Sequence, residues 1–405
     1  MIELRRHQRQ GASGRRQNMQ RHYDWLVVGS GFTGAVFAER VASQAGQRVL
    51  VIDRRTTLGG NAHDHRDETG VLRHVHGPHL FHTNSQVVFE HLSRFTEWTP
   101  YEHRVRAMID GRLVPLPFNF ASVEACFPAT AADRIKKALV SAFGPDANVP
   151  IMTLREHRGP ELRELADFVY ESVFRRYTKK QWGMLPEALS PTVTGRVPIR
   201  TGYDDRYFQD RFQGQPREGY TRLFERLLAH DGIELRLGCG LDDLGSDVHY
   251  ERMLYTGPLD AFFGHEFGHL PYRSLTFDFR RHEAARGQPV ATVNYPGDEP
   301  FTRISDFGHL CEGERTATTL AVEYPEPHAP GENEPYYPIP CDDAERLREA
   351  YAARVAECGP RVLFAGRLAD YRYINMDQAV ARALVVARRA CGGSEACDDR
   401  PLETL

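Results

Sequence analysis

Apolar residues recur along this chain in three rhythms, and the changes between them predict its architecture. Near the start the runs are short and continuous. Residues 24–28 and 48–52 read as buried strands, with a glycine turn and a helix over about 33–45 between them, which makes a parallel strand–helix–strand unit. Residues 104–109 and 112–116 are two strand runs joined by Asp110-Gly111, a hairpin signature, closed by Pro117. From about 122 to 189 apolar residues return every three or four positions among charges, most clearly over 154–177, which predicts helices. Between about 254 and 340 the rhythm becomes that of short alternating strands (274–279, 291–295 and 318–323) with proline-rich loops. The end returns to the opening pattern: a strand over 362–365, Gly366, then a helix over 377–388.

This order predicts an α/β protein whose nucleotide domain is discontinuous, with a helical insert and a mixed, largely antiparallel sheet domain between its visits. Residues 1–22 are expected to be a disordered arginine-rich tail. The nucleotide domain takes 23–100, 217–258 and 346–392, and the sheet domain takes 101–118 and 259–345. The helical insert is assigned 119–195, a sheet and substrate segment 196–216, and a flexible tail 393–405. No internal repeat or low-complexity block interrupts the pattern.

Composition narrows the function classes. The 405 residues are 41% apolar and 26% charged, ordinary for a globular chain. A net charge of −4 provides no global field for nucleic acid or anionic membrane, so a bound anion must be held by local arginines. No apolar run approaches the ~20 residues of a membrane span. Seven cysteines without a CxxC pair argue against a disulfide framework or structural zinc and suit a reducing cytoplasm. The first 22 residues lack the apolar segment of a secretory signal and read as a solvated basic tail, with a nucleic-acid arm as the lesser alternative.

The glycine turn carries chemistry. Gly29-Ser30-Gly31-Phe32-Thr33-Gly34 fits G-x-G-x-x-G after an apolar strand and before a helix. In that setting Gly29 permits the tight turn, Gly31 clears a path for a pyrophosphate, and Gly34 lets helix and strand pack closely. First-turn N–H groups then face the phosphates. Asp53, 19 residues beyond Gly34, puts a carboxylate where ribose hydroxyls would lie, and Arg54 beside it is expected to contact the cofactor as well. Leu58-Gly59-Gly60-Asn61 adds a second glycine pair, which resembles FAD enzymes whose backbone passes close to the extended cofactor. Gly366-Arg367 is the third contact expected of such a Rossmann-like, FAD-binding domain.

Further segments have to be read together: Gly77-Pro78-His79-Leu80-Phe81-His82-Thr83; Tyr177-Thr178-Lys179-Lys180-Gln181-Trp182; Arg196-Val197-Pro198-Ile199-Arg200; and Tyr203-Asp204-Asp205-Arg206-Tyr207-Phe208. After them come Asn294-Tyr295, Phe301-Thr302-Arg303, Pro335-Tyr336-Tyr337-Pro338, and the run Gly366 to Met376. In this order, from about Tyr23 to Arg388, the strings closely resemble the bacterial UDP-galactopyranose mutase family.

The resemblance implies an isomerase that interconverts UDP-galactopyranose and UDP-galactofuranose without net redox. N5 of reduced FAD attacks the anomeric carbon, displaces UDP, and the ring opens and recloses through another hydroxyl. An adduct divides a hard step into easier ones, and a departing diphosphate needs fixed cations. By motif position Arg196 and Arg303 take that role, suited to it by permanent charge and forked donors, and His79 falls near the flavin N5. Trp182, Tyr177, Tyr207 and Phe208 match the wall of the uridine and sugar pocket, with Phe174 and Thr178 beside them. Asn294 matches a contact to the sugar, and Tyr337, Tyr336 less so, and Tyr373 match tyrosines that reach the diphosphate. Arg367, Tyr373, Asn375 and Met376 complete the flavin side. Asn375 stands where many relatives carry aspartate, so no carboxylate base is available at that position. The resemblance also implies a homo-oligomer and a loop that closes over UDP, for which 178–185 is the candidate. The partners expected are UDP-galactopyranose, UDP-galactofuranose and UDP, with no nucleic acid and no membrane.

Two readings compete. A flavin oxidoreductase of the amine-oxidase type shares both glycine elements but gives no reason for Arg196 and Arg303. A binding protein that keeps the fold without the chemistry is the other. No metal is expected. His74, His76, His79 and His82 lack a completing ligand at a recognisable spacing. His265-Glu266-Phe267-Gly268-His269 satisfies the zinc-protease string H-E-x-x-H, but Gly264, Gly268 and Pro271 predict a loop rather than the helix that mechanism needs.

Overall fold

The computed structural model describes residues 21–392. The expected tails at 1–20 and 393–405 lie outside them. The chain enters through β1 (Arg21–Val28), α1 (Phe32–Ala45) and β2 (Val49–Asp53). It crosses to the hairpin β3 (Val105–Ile109) and β4 (Arg112–Leu116), then forms α2 (Phe120–Cys126), α3 (Ala129–Phe143), α4 (Pro160–Val169) and α5 (Arg176–Trp182). It returns through α6 (Tyr220–Leu227), β5 (Ile233–Leu237), β6 (Val248–Tyr255) and the short α7 (Leu259–Phe262). A second excursion makes β7 (Tyr272–His282), β8 (Thr292–Asn294), β9 (Arg303–Asp306), β10 (Thr318–Pro327) and β11 (Tyr337–Pro338). The chain closes with α8 (Asp342–Glu357), β12 (Val362–Phe364) and α9 (Met376–Ala390).

Two sheets result. The first is parallel, in the order β5-β2-β1-β6-β12. β2 and the C-terminal halves of β1 and β6 are apolar and largely buried because both faces are covered there, whereas the edge strand β5 alternates. Trp25 and Val27 pack toward α1, α6 and α9, while Leu26 and Leu50 lie in a second core with Tyr351 of α8. The second sheet runs β11-β7-β10-β9-β8-β3-β4 and is antiparallel except where β8 lies parallel to β3. Its hairpin turns through Asp110 at φ 47°, the left-handed conformation an Asp-Gly turn calls for. The insert's apolar stripe (Leu162, Leu165 and Val169) buries against Val105, Val114 and Leu116 of that hairpin.

Several boundaries differ from the sequence expectation. β1 begins at Arg21, so Arg21 and His22, assigned to the basic tail, pair with Val248 and His249. The helical 154–177 stretch is divided among several elements. A helix over Ile151–Arg155 ends before Gly159, and Pro160 opens α4, where its missing N–H costs nothing. Residues 259–270, assigned to the sheet domain, bury Leu259 and Leu270 in the α8-side core, and the antiparallel sheet resumes only at Tyr272.

Candidate active site

The first half of the site is the β1–α1 turn. A Cβ on Gly34 would stand 1.9 Å from the Gly29 carbonyl oxygen, so only glycine lets α1 rise this close to the strand. Ser30 donates from its backbone N–H (2.9 Å) and its hydroxyl (2.7 Å) to Asp53 Oδ2, which ties the loop to the end of β2. The N-cap of α1 is Gly31 and no side chain caps the helix, which leaves first-turn donors available to an anion. The second glycine pair abuts the first: a Cβ on Gly60 would lie 3.2 Å from Gly31 Cα. Gly366 lies against the Thr33 hydroxyl. Ser30, Phe32, Thr33 and Leu58 are buried around this cradle. The arrangement fits an extended dinucleotide: backbone approach at two glycines, open helix donors for phosphate, and a carboxylate for ribose.

One expected contact is displaced. Arg54 points outward to Glu334 with 60% of its side chain exposed. Its neighbour Arg55, 18% exposed, reaches inward to Asn61 Oδ1 (3.0 Å) and Glu334 Oε2 (2.9 Å).

Beyond this cradle a cleft of 420 Å³ opens between the His76–His82 segment, the antiparallel sheet, the insert and the loop that leads into α9. His79, Arg196 and Arg303 line it, as do Phe174, Tyr177, Thr178 and Trp182 from the insert. Tyr207, Phe208, Asn294, Tyr337 and Tyr373 complete its polar and aromatic walls, and Arg367, just after β12, borders it with Asn375 and Met376 at the start of α9. Of the two adjacent tyrosines Tyr337 faces the cleft, whereas Tyr336 turns its hydroxyl to His76 Nδ1 at 2.7 Å. Trp182, Tyr337 and Tyr373 meet edge to face, with centroids 5.2 Å apart for Trp182–Tyr373 and 5.3 Å for Tyr337–Tyr373. The insert reaches in through a π-helical stretch over Tyr170–Arg175 between α4 and α5. Its extra residue per turn shifts the phase of the following side chains, which is why such stretches recur at functional sites.

The cations have built supports. Arg196 donates to Asn375 Oδ1 (3.1 Å) and the Tyr373 carbonyl (3.0 Å), and its guanidinium lies 3.9 Å over the Tyr373 ring. Arg303 donates from Nε to the buried Glu323 at 2.9 Å. Burial opposes the charge on Arg303, but the Glu323 carboxylate outweighs it and raises the group well above its ordinary value. His79 donates from Nδ1 to the Gly77 carbonyl at 2.8 Å. Burial first, then neighbouring His74, pull its protonation down to about 3, so at neutral pH the ring is uncharged. The side-chain oxygen of Asn294 is buried at the cleft without a hydrogen-bond partner, which marks a place for a ligand donor.

Some participants escaped the sequence reading. Glu323 was legible only as the last residue of an expected strand; its register opposite Arg303 requires the β9–β10 pairing. Lys180 donates to the carbonyls of Tyr295, Glu299 and Phe301, and Arg273 donates to the Gln181 carbonyl at 2.9 Å. These bonds fasten α5 over the cleft, so 178–182 of the expected mobile loop is helix, ended at Gly183.

Comparison with known proteins agrees with this geometry. The family model described as UDP-galactopyranose mutase matches residues 172–373, and that of the NAD(P)-binding Rossmann-like domain matches 27–95. The chain is 37% identical over 94% of its length to a probable UDP-galactopyranose mutase of Klebsiella pneumoniae, covering 98% of that protein. It is 33% identical over 91% of its length to the UDP-galactopyranose mutase of Mycoplasma pneumoniae (96% covered), and 32% identical over 90% to the dTDP-fucopyranose mutase of Escherichia coli (97% covered). Among solved structures, reduced UDP-galactopyranose mutase superposes with a TM-score of 0.72 at 16% identity, over 91% of this chain and 94% of that one. A putrescine oxidase reaches 0.57 at 11% identity, over 92% and 99%, so the oxidoreductases share the fold alone.

Proposed function

The chain belongs to the UDP-galactopyranose mutase family of isomerases, and on that premise we propose that it interconverts UDP-galactopyranose and UDP-galactofuranose with reduced FAD. The observation that carries the proposal is the convergence of Arg196 and Arg303, 107 positions apart in sequence, on one cleft with His79 and Arg367 at its cofactor end. An oxidoreductase has no use for two supported guanidiniums there; a leaving diphosphate does.

When bound and reduced, FAD would supply a nucleophilic N5 for the anomeric carbon as UDP leaves it. The protein's part is positional and electrostatic. The Gly29–Gly34 turn and Asp53 hold the ADP end, with Arg55 in the place first expected of Arg54. Arg196 and Arg303 take the developing charge on the diphosphate, with the Tyr337 and Tyr373 hydroxyls beside them. Trp182, Tyr177, Phe174, Tyr207 and Phe208 exclude water from the uracil and sugar, Thr178 borders them, and Asn294 offers its unpaired oxygen to a sugar hydroxyl. His79, neutral and fixed through Nδ1, presents Nε2 as an acceptor rather than as a charge. Asn375 positions Arg196 and takes no proton.

Among the described residues no helix is long and apolar enough to cross a membrane, and their six cysteines are free thiols. A cytoplasmic location and a homo-oligomeric state belong to the same proposal and rest on the family resemblance.

The substrate test offers reduced holoenzyme UDP-galactopyranose and dTDP-fucopyranose in parallel, with products resolved by chromatography. A higher kcat/KM for the UDP sugar is expected. A preference for the dTDP sugar would overturn the substrate assignment.

A further inference from the structure

The H-E-x-x-H string over 265–269 has no part in the cleft, yet the fold gives it a definite shape. α7 ends at Phe262 and the chain turns sharply, with the His265 N–H donating to the Asp260 carbonyl (2.9 Å) and the Gly268 N–H to the His265 carbonyl (2.8 Å). His265 adopts φ 59°, an uncommon conformation for a residue with a side chain. Tyr351 of α8 holds the tip, donating its hydroxyl to the Gly268 carbonyl at 2.6 Å. The loop brings the rings of His265 and His269 to a centroid separation of 4.1 Å, beside the buried carboxylate of Asp260.

We propose that Asp260, His265 and His269 form a binding site for a zinc-class divalent ion. One ligand atom from each of the three lies within 4.8 Å of the other two. His265 Nδ1 and Asp260 Oδ2 stand 3.2 Å apart, close to the roughly 3.3 Å between ligands on a tetrahedral ion with bonds of about 2.0–2.1 Å. The carboxylate is oriented from behind by the Leu270 N–H (3.0 Å) and the Tyr272 hydroxyl (3.4 Å), the kind of outer support that metal ligands use. His269 is exposed and free to swing the remaining distance. Two imidazoles and one carboxylate select zinc, cobalt or nickel over calcium and magnesium, which take oxygen ligands. Water would fill the fourth position.

The site is not that of a peptidase. Glu266, the general base of that string, is turned away to Arg354 at 2.7 Å, and the two histidines sit on a loop rather than a helix face. None of the three ligands lines the cleft. The ion would staple the 263–269 loop to α7, and this holds whether or not the proposed activity does. The sequence reading expected no metal because the string lacks a helix; here a turn, not a helix face, brings the two histidines beside Asp260.

Zinc titration of metal-stripped, untagged holoenzyme tests the proposal, followed by calorimetry and by metal content after gel filtration. One equivalent should bind at micromolar concentration or tighter, and zinc should raise the Tm. His265→Ala and His269→Gln should each weaken binding about tenfold or more and abolish the Tm shift, with flavin content unchanged. Because His269 is exposed, its substitution leaves the fold intact. His249→Ala, on another face, should bind like the parent. Absence of a stoichiometric site, or full affinity retained in both loop variants, would overturn the assignment.

Discussion

Glu323→Gln isolates the support under Arg303. Glu323 is 2% exposed, and its Oε1 accepts from Arg303 Nε (2.9 Å) and the Thr302 hydroxyl (3.1 Å). Glutamine keeps the shape and one acceptor but removes the counter-charge. Removing one partner of a buried pair costs about 3–5 kcal/mol. The Arg303 side chain is 26% exposed and the amide still accepts, so about 2–3 kcal/mol is the better figure here. An unfolding entropy near 2.1 cal/mol/K per residue gives about 0.8 kcal/mol/K for a chain of this size, so the Tm should fall by about 3 °C. If a diphosphate is the natural partner of Arg303, UDP should restore more than it adds to the parent: its Tm shift in the variant should exceed the parental shift at equal UDP. Differential scanning fluorimetry of holoprotein with and without UDP reads both quantities. An unchanged Tm, or a smaller UDP shift in the variant, would refute the reasoning.

Arg196→Ala should lower kcat by about 10²–10³-fold while the flavin absorbance stays at full occupancy; near-parental turnover would remove Arg196 from the diphosphate role. Gly34→Ala sets a Cβ 1.9 Å from the Gly29 oxygen and should yield protein with little bound flavin, read as the absorbance ratio of purified samples. A fully loaded variant would mean that the turn tolerates repacking. Acid stability follows from the buried histidines. His74 is held near 3 by burial, below its unfolded value near 6.5, so the unfolded chain takes up a proton first as pH falls. The stability this group provides is therefore complete above about pH 6.5 and is lost progressively toward pH 3. His74→Asn keeps an acceptor for the His79 N–H and should flatten the fall of Tm between pH 6.5 and 4.5; an unaltered slope would contradict the assignment.

The nucleotide half of the protein was legible because local rules write it. Gly29, Gly31, Gly34 and Asp53 have roles set by a single strand–turn–helix unit, and the Asp110-Gly111 hairpin likewise needs only its own residues. The helical character of 154–177 was legible in its apolar rhythm, while the break before Pro160 was not placed within it. The pocket was different. Arg196, Asn294, Arg303, Tyr337 and Tyr373 lie on separate elements, and no periodicity joins them; only the family motifs did. Glu323 stayed hidden because its meaning depends on strand register, and Arg55 because a turn of two adjacent arginines gives no sign of which faces inward. The His265–His269 loop is a different case: the string was set aside for lacking a helix, yet a turn brings both of its histidines beside Asp260.

The most direct test of the central claim is an anaerobic comparison of dithionite-reduced and oxidised holoenzyme with UDP-galactofuranose, following UDP-galactopyranose by chromatography and the flavin by its absorbance. The account predicts many turnovers per flavin with the reduced enzyme alone, and a flavin still reduced at the end. Equal conversion by the oxidised enzyme, or flavin oxidised in step with product, would contradict it.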